Sequence, residues 1–501
     1  MKLKPLLLAV AVIGGLTGPT IAADLRIGLA EDPDLLDPDQ ARTFVGRIVF
    51  TAMCDKLVDI TPDLKLVPQL ATDWNWSGDG TVLTMDLRQG VTFQDGTPFN
   101  AQAVVDNIDR SQNLPGSKRK SELASVKSVE ATGDYKVAFH LASADATLLA
   151  QLADRAGMML SPTAFKKEGA KFSDNPVCSG PYAFKSRVQQ DRIVLDKYPG
   201  YWNAAAYKFD TVTYLPIPDA TVRLANLRSG DLDLIERVSP TDSKTVKDDP
   251  GLAYADAVSL GYQGITVNTD NGPASDNPFS KQKLLRQAFS LAIDRDALNQ
   301  VVFNGDYAPG NQPFPPDSPW YNKVDPIRQR DVAKAKELMK EAGVSSVELD
   351  MTVPNDPLNL QIGQVLQSMV GEAGFNLKLK STEFATMLSE QTAGRFVADL
   401  VGWSGRVDPD GNIHEFTTCK GGLNDSKYCN AEVDQLLDGA RKTTDVAARK
   451  AKYDAADVIL NADLPIIYLY HQTWIWAMNK KVTGFVPYPD GMIRLAGVSK
   501  S

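Results

Sequence analysis

The first 22 residues constrain the rest of the chain most, because they contain the three parts of an export signal. Lys2 and Lys4 give a positively charged start, residues 6–16 are apolar, and residues 20–22 (TIA) supply small side chains before a cleavage point. This apolar stretch is shorter than the ~20 residues that a membrane-spanning helix needs. The sequence therefore predicts a cleaved signal peptide over residues 1–22, the alternative being an uncleaved N-terminal helix. The mature protein is expected outside the cytoplasm.

Export to an oxidising compartment changes the expected role of the four cysteines. An even number of cysteines there indicates disulfides, and four cysteines allow three pairings. Cys419 and Cys429 enclose a short loop of turn-forming residues, which favours a bridge between them and leaves Cys54 to pair with Cys178. No cysteine lies near the predicted cleavage point, so we expect a periplasmic protein that is not a lipoprotein. The chain has no C-x-x-C and its three histidines show no ligand spacing, so no metal site is predicted.

Length and charge narrow the architecture and the partners. A chain of 501 residues is too long for one hydrophobic core and predicts two or three lobes. A formal net charge of −9 argues against nucleic acid or an anionic membrane as the main partner, and it favours a monomer. No repeat and no second long apolar segment is present in the sequence.

The hydrophobic pattern indicates a mixture of strands and helices. Apolar residues alternate with polar ones over 24–29, 83–87 and 135–141, as in half-buried strands. From about residue 280 the pattern changes to longer amphipathic helices, the first over 283–302. This change predicts a lobe boundary near residue 265, and the tail after Lys480 is predicted to return to the first lobe.

Motifs of the common enzyme classes are absent from the sequence. There is no phosphate-binding G-x-x-x-x-G-K, no H-E-x-x-H and no G-x-G-x-x-G, and residues 402–405 (GWSG) lack the spacing of a nucleophile elbow. Asp408 and Asp410 are a possible carboxylate pair for glycoside hydrolysis. They flank a proline, which favours a role in shaping a turn. We therefore predict a protein that is not an enzyme, with a periplasmic hydrolase as the alternative.

Four stretches together carry a family resemblance. They are DPDLLDP (32–38), residues 66–105 with LRQGVTFQDGTP, PVCSGPYAF (176–184) and LLRQAFSLAIDRDAL (284–298). In this order they resemble the periplasmic dipeptide- and oligopeptide-binding proteins of ABC importers, the extracellular solute-binding proteins of family 5. The resemblance spans nearly the whole chain after the predicted signal peptide.

The resemblance implies an α/β fold of two lobes, the two-lobe periplasmic-binding-protein fold with an extra subdomain inserted in the first lobe. Residues 23–265 and 481–501 would form lobe 1, with the insertion at about 51–175, and residues 266–480 would form lobe 2. Two hinge crossovers are expected, near Thr266 and Met478. Ligand would bind in the cleft, and hinge closure would trap it.

The function implied is that of the solute-binding subunit of an ABC importer. It would capture a peptide or peptide-like solute, without a cofactor, and deliver it to a permease in the inner membrane. Within the family the alternatives are a nickel chelate, haem or an oligosaccharide as cargo. A protein that presents its ligand to a chemoreceptor would use the same closed form.

One departure from the family pattern bears on the ligand. In peptide binders of this family an aspartate shortly after a Gly-Trp pair receives the α-ammonium group, and here GWSGRVDPDGN (402–412) has Arg406 at about that place. Guanidinium binds carboxylate or phosphate, so Arg406 predicts an acidic, glutathione-like or opine-like ligand. The segment 355–363, which supplies a carboxylate-binding arginine in dipeptide binders, contains none. Alternatively, Arg406 pairs with Asp408 or Asp410 and orders its loop.

Five further residues complete the predicted ligand-binding set. Arg155 is a second candidate for binding an anion, the alternative being a surface ion pair. Trp403 is predicted to line the pocket as a flat aromatic wall. Asp408 follows in the same loop. Tyr262 and Gln263 lie next to the expected crossover, where a role in the pocket and a role at a strand end are both open.

Overall fold

The computed structural model describes residues 24–501, so the predicted signal peptide lies outside the described residues. The first of its two large sheets has seven strands, and the alternating residues 24–29 form a central one. The spatial order is Leu252–Val258, Thr473–Asn479, Leu234–Ile235, Asp24–Leu29, Thr211–Pro216, Arg192–Lys197 and Tyr182–Val188. Leu25, Ile27 and Leu29 are fully buried in its core, as alternation predicts.

The second large sheet has six strands and carries the later part of the chain. Its spatial order is Ala308–Pro309, Ile466–His471, Tyr262–Val267, Ala398–Trp403, Val347–Pro354 and Phe375–Thr382. A separate core packs against this sheet and includes Leu285, Phe289 and Leu349. Each large sheet thus has its own hydrophobic core and forms one lobe, as expected for a chain too long for a single core.

A third, smaller sheet belongs to the inserted subdomain and has a core of its own. Its four antiparallel strands are ordered Ala71–Trp76, Val82–Leu87, Lys136–Leu141 and Val126–Gly133. Short pairs of strands occur at Val58–Ile60 with Leu66–Pro68 and at Val482–Thr483 with Ser499–Lys500. The C-terminal tail packs on the core of the first lobe through Met492, Ile493, Leu495 and Val498.

Helices surround the sheets. Those before residue 260 are Phe44–Met53, Ala101–Asn113, Leu148–Gln151, Pro162–Glu168, Ala220–Ser229 and Ser243–Asp248. Those after it are Pro278–Lys281, Lys283–Ala292, Arg295–Phe303, Val332–Glu341, Pro357–Gly371, Phe384–Thr392, Asp410–Thr417, Ala431–Arg441 and Val446–Asp463. Within residues 24–501 no helix is both long and apolar enough to cross a membrane.

The single helix expected over 283–302 is wrong, because the structure has two helices there. The first ends at Ala292, and Ile293 has extended backbone. Asp294 then begins the second helix, since its Oδ1 accepts a hydrogen bond from the backbone N–H of Ala297 at 2.9 Å. An apolar stripe continues through such a break, so periodicity alone does not reveal it.

The chain changes sheets at two places that differ from the predicted crossovers. It leaves the first sheet after Val258 and enters the second at Tyr262, and it returns between His471 and Thr473. Thr266 and Met478, where the crossovers were expected, lie inside strands. Strand periodicity marks a buried face without indicating which sheet the strand joins, which explains the shift of several residues.

Both predicted disulfides are confirmed. Cys54 is bonded to Cys178, with their Cα atoms 4.9 Å apart, and Cys419 is bonded to Cys429, with their Cα atoms 4.4 Å apart. The first bridge joins the end of the helix Phe44–Met53 to the segment before the strand Tyr182–Val188. It therefore fixes both ends of the insertion on the first lobe.

Candidate ligand-binding site

A cavity with a volume of about 360 Å³ lies between the two large sheets. From the first lobe it is lined by residues that follow the strands Asp24–Leu29 and Thr211–Pro216. From the second it is lined by residues at the ends of the strands Val347–Pro354 and Ala398–Trp403. Carboxyl ends of strands at the point where two sheets meet are the usual place for a ligand in α/β proteins.

A smaller cavity of about 70 Å³ continues this space beside Trp403. Phe44, Gly402 and Ser404 line both cavities, so the two are neighbouring parts of one interlobe cleft. Tyr262 and Phe416 add aromatic walls to the smaller part.

Three of the predicted residues meet at the ends of two paired strands. Tyr262 lies opposite Trp403 and Gln263 lies opposite Gly402 in the antiparallel register. Trp403 and Tyr262 line the smaller cavity, whereas Gln263 lines the larger one. A Cβ atom on Gly402 would lie 2.0 Å from the amide oxygen of Gln263, so glycine makes room for this amide at the cavity wall.

Contacts behind the cleft hold Trp403 in place. Its indole N–H donates to Oδ1 of Asn412 at 3.0 Å, and its ring packs edge-on against Phe416 with centroids 4.7 Å apart. The guanidinium of Arg406 also packs on this ring, 4.0 Å from the ring centroid. The ring is thus held from several directions and forms a rigid wall of the smaller cavity, which Arg406 does not line.

Arg406 is buried and forms an ion pair with Asp154 through its Nε atom. Its Nη1 donates to the backbone carbonyl of Gly405 at 2.8 Å, and its Nη2 has no hydrogen-bond partner among the described residues. The guanidinium itself does not line either part of the cleft within residues 24–501. Direct contact between Arg406 and ligand therefore stays a prediction.

The predicted alternative, in which Arg406 pairs with Asp408 or Asp410, is wrong. Asp408 accepts two hydrogen bonds from Arg449, at 2.8 and 2.5 Å. Asp410 pairs with Arg441 at 2.7 Å. Both carboxylates therefore pair with arginines of the second lobe. The bonds between Asp408 and Arg449 hold the loop that follows Trp403.

Arg155 is fully enclosed, and the predicted alternative of a surface ion pair is wrong. Its Nη1 donates to the carbonyl of Ala41 at 2.7 Å, while Nε and Nη2 have no hydrogen-bond partner in the described part of the chain. Burial, followed by the charges of Arg119 and Arg406, lowers its pKa well below the usual range for arginine. This cation is therefore unusually short of compensating charge.

Asp154 is a buried residue beside the site that the sequence analysis did not single out. Its carboxylate accepts a hydrogen bond from Nε of Arg47 at 3.1 Å, pairs with Arg406, and caps the short 3₁₀ helix Arg155–Gly157. Although burial opposes ionisation, the charges of Arg406, Arg47 and Arg155 hold the pKa of Asp154 well below its usual range. Burial and the nearby charge of Arg47 lower the pKa of Arg406 to about 9, although the charge of Asp154 acts to raise it.

Arg47 was missed because it lies in the otherwise apolar helix Phe44–Met53, where the sequence FVGRIVFTAM predicts only core packing. Its Nη1 donates to Oγ of Ser404 at 3.0 Å. Arg47 thus contacts the loop of the second lobe that carries Ser404. An isolated charge within an apolar helix is the one signal that would have identified it.

The segment 355–363 lines the larger cavity, as its place in the family pattern suggests, and it contains no arginine. The cations of this cavity come instead from the first lobe. Arg237 pairs with Glu31 at 2.9 Å and with Glu236 at 3.0 Å. Arg223 donates to backbone carbonyls, including that of Pro218 at 2.8 Å.

The loop that carries Trp403 and Arg406 packs directly on the first crossover. A Cβ atom on Gly261 would lie 1.7 Å from the carbonyl oxygen of Trp403. Gly405 has a φ of 87°, and a Cβ atom there would lie 2.3 Å from the carbonyl carbon of Leu260. Only glycine fits both positions, which allows the loop and the crossover to pack in direct backbone contact.

His471 links the two crossovers. Its Nδ1 lies 2.7 Å from the carbonyl oxygen of Gly261, so this ring nitrogen carries the proton. Burial lowers the pKa of His471 to about 4, which keeps the ring neutral.

A second buried charge network follows Trp403 in the helix Asp410–Thr417. Arg441 bridges Asp410 and Glu415, and Nε2 of His414 lies 2.9 Å from Oδ1 of Asp438. Burial opposes a charge on His414, but Asp410 and these neighbouring carboxylates raise its pKa to about 9. The histidine is therefore a cation at neutral pH.

Polar contacts join the two lobes across the cleft. Arg42, just before the helix Phe44–Met53, pairs with Asp425 at 2.6 Å and donates to the carbonyl of Leu388 at 3.1 Å. With the pair between Arg406 and Asp154, these contacts define a closed arrangement. No group of three or more side chains suited to hold a metal ion occurs within residues 24–501.

Comparison with known proteins identifies the family. The model of the bacterial extracellular solute-binding proteins, family 5, matches residues 65–424. The chain belongs to this family. The glutathione-binding protein GsiB of Pectobacterium atrosepticum is 30% identical over 499 residues, covering 96% of each chain. GsiB of Escherichia coli K12 is 28% identical over 483 residues, covering 94% of this chain and 93% of its own.

Solved structures show the same fold. The dipeptide-binding protein of Pseudoalteromonas sp. SM9913, in complex with Met-Leu, superimposes with a TM-score of 0.87 at 24% identity, covering 95% of this chain and 100% of its own. The protein AgaA of A. tumefaciens R10, in complex with agropinic acid, gives 0.87 at 24% identity, covering 95% and 99%. The predicted family and the two-lobe fold are thus confirmed, and the protein is a family 5 solute-binding protein of an ABC importer.

Proposed function

We propose that this protein is a monomeric periplasmic subunit that captures a small acidic peptide or peptide-like solute and delivers it to the permease of its importer. The observation that carries the proposal is the interlobe cavity of about 360 Å³, which residues of both lobes line. A solute in it contacts both lobes only when they are closed, so binding stabilises the closed form. No catalytic step is proposed.

The size of the cavity supports a small solute. A volume of about 360 Å³ lies near the lower end of the range for small-molecule sites, which favours a ligand of a few residues over a long peptide. The relatives named for glutathione and the structure with agropinic acid point to acidic, peptide-like or opine-type compounds.

The polar groups of the cleft support a solute that carries both charge signs. Arg237 lines the larger part together with Glu31, Asp32 and Asp356. Carboxylates of this kind suit an ammonium group, whereas arginine suits a carboxylate. Flat rings such as Trp403 tolerate different side chains, because they contribute apolar contact without demanding a hydrogen bond.

The test is a thermal-shift screen of the mature chain, purified by unfolding and refolding so that carried-over ligand is removed. The panel compares neutral dipeptides and longer peptides with glutathione, opine-type conjugates and nickel–histidine chelates. A ligand present at about 100 times its Kd adds about 2.7 kcal/mol to the free energy of unfolding. Stabilisation by the acidic conjugates alone would support the proposal, and stabilisation only by neutral peptides or chelates would contradict it.

A matched pair of variants locates the binding site. Trp403→Ala removes a wall of the cleft and should weaken the binding of any stabilising ligand. Trp76→Ala, in a strand of the inserted subdomain, removes a half-exposed ring outside the residues that line the cleft and should leave binding unchanged. Equal affinities of the two variants would place the ligand elsewhere.

A further inference from the structure

Four arginines and two carboxylates meet behind Trp403, and we call this group the arginine cluster. Arg47 comes from the first lobe, Arg119 and Arg155 from its inserted subdomain, and Arg406 from the second lobe. The acids are Asp154 and Glu122. All six side chains are buried, and Arg119 and Arg155 have exposed fractions of 0% and 1%.

The arginine cluster has more cations than anions. Asp154 pairs with Arg47 and Arg406, and Glu122 pairs with Arg119. Two carboxylates thus face four guanidinium groups, which leaves two positive charges in excess. Burying charge without compensation is costly, so such an excess is not expected of a group with a purely structural role.

Unused hydrogen-bond donors identify where the compensation is missing. Nε and Nη2 of Arg119, Nε and Nη2 of Arg155, and Nη2 of Arg406 have no acceptor among the residues that the structure describes. Leaving one buried donor unsatisfied costs about 1–3 kcal/mol, and more when it is charged. Oδ2 of Asp154 and Oε2 of Glu122 also make no hydrogen bond, although Asp154 and Glu122 form ion pairs with Arg406 and Arg119. The five open nitrogens on three neighbouring guanidinium groups outnumber these two oxygens, so a further acceptor with several lone pairs would complete the cluster.

Acids in the surroundings are committed to other cations. Glu415 accepts from Arg441 at 2.9 Å and from the hydroxyl of Ser121. Asp490, near Arg47, pairs with Arg494 at 2.9 Å. Neither carboxylate supplies an acceptor to the open donors of the arginine cluster.

We propose that the arginine cluster is an anion-binding site that takes an oxyanion, held by the open donors of Arg119, Arg155 and Arg406. Planar guanidinium groups donate in pairs to carboxylate, phosphate or sulfate oxygens, which matches the donors left free. The oxyanion is either a carboxylate of the transported solute or a free small anion. The first source rests on the proposed function, whereas the second does not.

The site is complete only when the lobes are closed. Arg406 and the loop with Ser404 belong to the second lobe, while the remaining members of the cluster belong to the first. Arg406 stacks on Trp403, and Arg47 donates a hydrogen bond to Ser404. Because Trp403 and Ser404 line the cleft, the arginine cluster lies directly behind its wall. Hinge opening would separate Arg406 from Asp154 and give an anion access. A bound anion therefore stabilises the closed form.

The first experiment follows the melting temperature of the refolded mature chain in phosphate, sulfate and acetate, at constant ionic strength adjusted with chloride. Sulfate also stabilises proteins in general, but that effect grows steadily with concentration. A specific site instead gives a response that saturates. The wild type is expected to show a saturating rise in melting temperature with at least one oxyanion.

Variants assign the response to the cluster. Arg155→Gln and Arg119→Gln should each weaken the apparent anion affinity about tenfold or more, because each removes charge-assisted hydrogen bonds. Arg110→Gln is the matched control: it removes another buried arginine of the insertion, whose charge Asp37 and Asp39 balance. Equal anion responses in wild type, Arg155→Gln and Arg110→Gln would overturn the proposal. The proposal would also be overturned if Arg155→Gln raised the melting temperature but left the response to anions unchanged. That result would mean that the substitution only relieves repulsion between the arginines.

Calorimetric titration of the wild type with phosphate keeps the proposal testable if the variants fail to fold. Competition then distinguishes the two sources. If a stabilising solute from the screen abolishes the phosphate response, its carboxylate occupies the cluster; if the two responses add, the cluster holds a separate anion. Absence of heat with phosphate, together with solute binding that is unchanged in Arg406→Gln, would overturn both versions. Failure of every solute in the screen leaves the phosphate titration intact, so the two proposals fail separately.

Discussion

Replacing Asp154 by asparagine tests whether this carboxylate holds the arginine cluster together. In the wild type, Asp154 forms charge-assisted contacts with Arg47 and Arg406, and it also accepts the backbone N–H of Arg155 at 2.8 Å. The asparagine side chain would keep the shape and one acceptor but lose the negative charge. The variant leaves two buried guanidinium groups without their carboxylate.

Two estimates of the cost of Asp154→Asn agree. Asp154 accepts two hydrogen bonds, from Nε of Arg47 and from the backbone N–H of Arg155, and at about 1.5–3 kcal/mol for each bond to a charged group they give roughly 3–6 kcal/mol. Removing one partner of a buried ion pair costs about 3–5 kcal/mol. The entropy of unfolding of a chain of about 480 residues is about 1 kcal/mol/K, so we expect the melting temperature to fall by about 3–5 °C.

The assay is thermal unfolding at neutral pH without ligand, with Asp248→Asn as the control. Asp248 pairs with Lys244 on an exposed helix, where solvent screens the pair, so losing it should leave the melting temperature nearly unchanged. A decrease of less than about 1 °C for Asp154→Asn, or an increase, would refute the argument that this carboxylate compensates the arginines.

Three further predictions concern the disulfide, a histidine and a glycine. Replacing Cys54 and Cys178 by alanine opens a bridge between residues 124 apart in sequence, which the chain-entropy model values at about 4–5 kcal/mol, and thermal unfolding under oxidising conditions measures it. A loss below about 1 kcal/mol would contradict this. The raised pKa of His414 gives stability that is fully present below pH 6.5 and is lost as the pH rises to about 9, so the advantage of wild type over His414→Gln should decrease by about 3 kcal/mol over that interval. A constant difference between about pH 6 and about pH 9.5 would show that His414 is not charged in the fold. Gly405→Ala should lower ligand affinity in the thermal-shift assay, because a Cβ atom there strains the backbone and displaces the loop from the crossover; Gly90→Ala, which also has a positive φ but has open space around its Cβ, is the control that should leave affinity unchanged.

Much of the architecture follows from the sequence alone. The alternation in 24–29 predicts a buried strand because successive side chains of a strand point to opposite faces, and the structure confirms it. The short loop between Cys419 and Cys429 identifies one disulfide, and the other then follows by elimination. These features are local, or they involve residue types with a single plausible partner.

Tertiary structure alone decided the contacts of the site. The sequence placed Arg406 beside Asp408 and Asp410, yet its partner is Asp154, which reaches it from the inserted subdomain. Proximity in sequence did not predict this ion pair, because Asp408 and Asp410 pair instead with Arg449 and Arg441 from later helices.

The positions of the crossovers and the excess of charge behind Trp403 also required the fold. Periodicity marks the buried face of the strand Tyr262–Val267 but does not tell which sheet it joins. The arginine cluster assembles from four segments that are distant in sequence. Their charges come close together only once the chain has folded and the lobes have closed on each other. The sequence determines which side chains can bind an anion, and the packing of the two lobes determines which of them lack a partner.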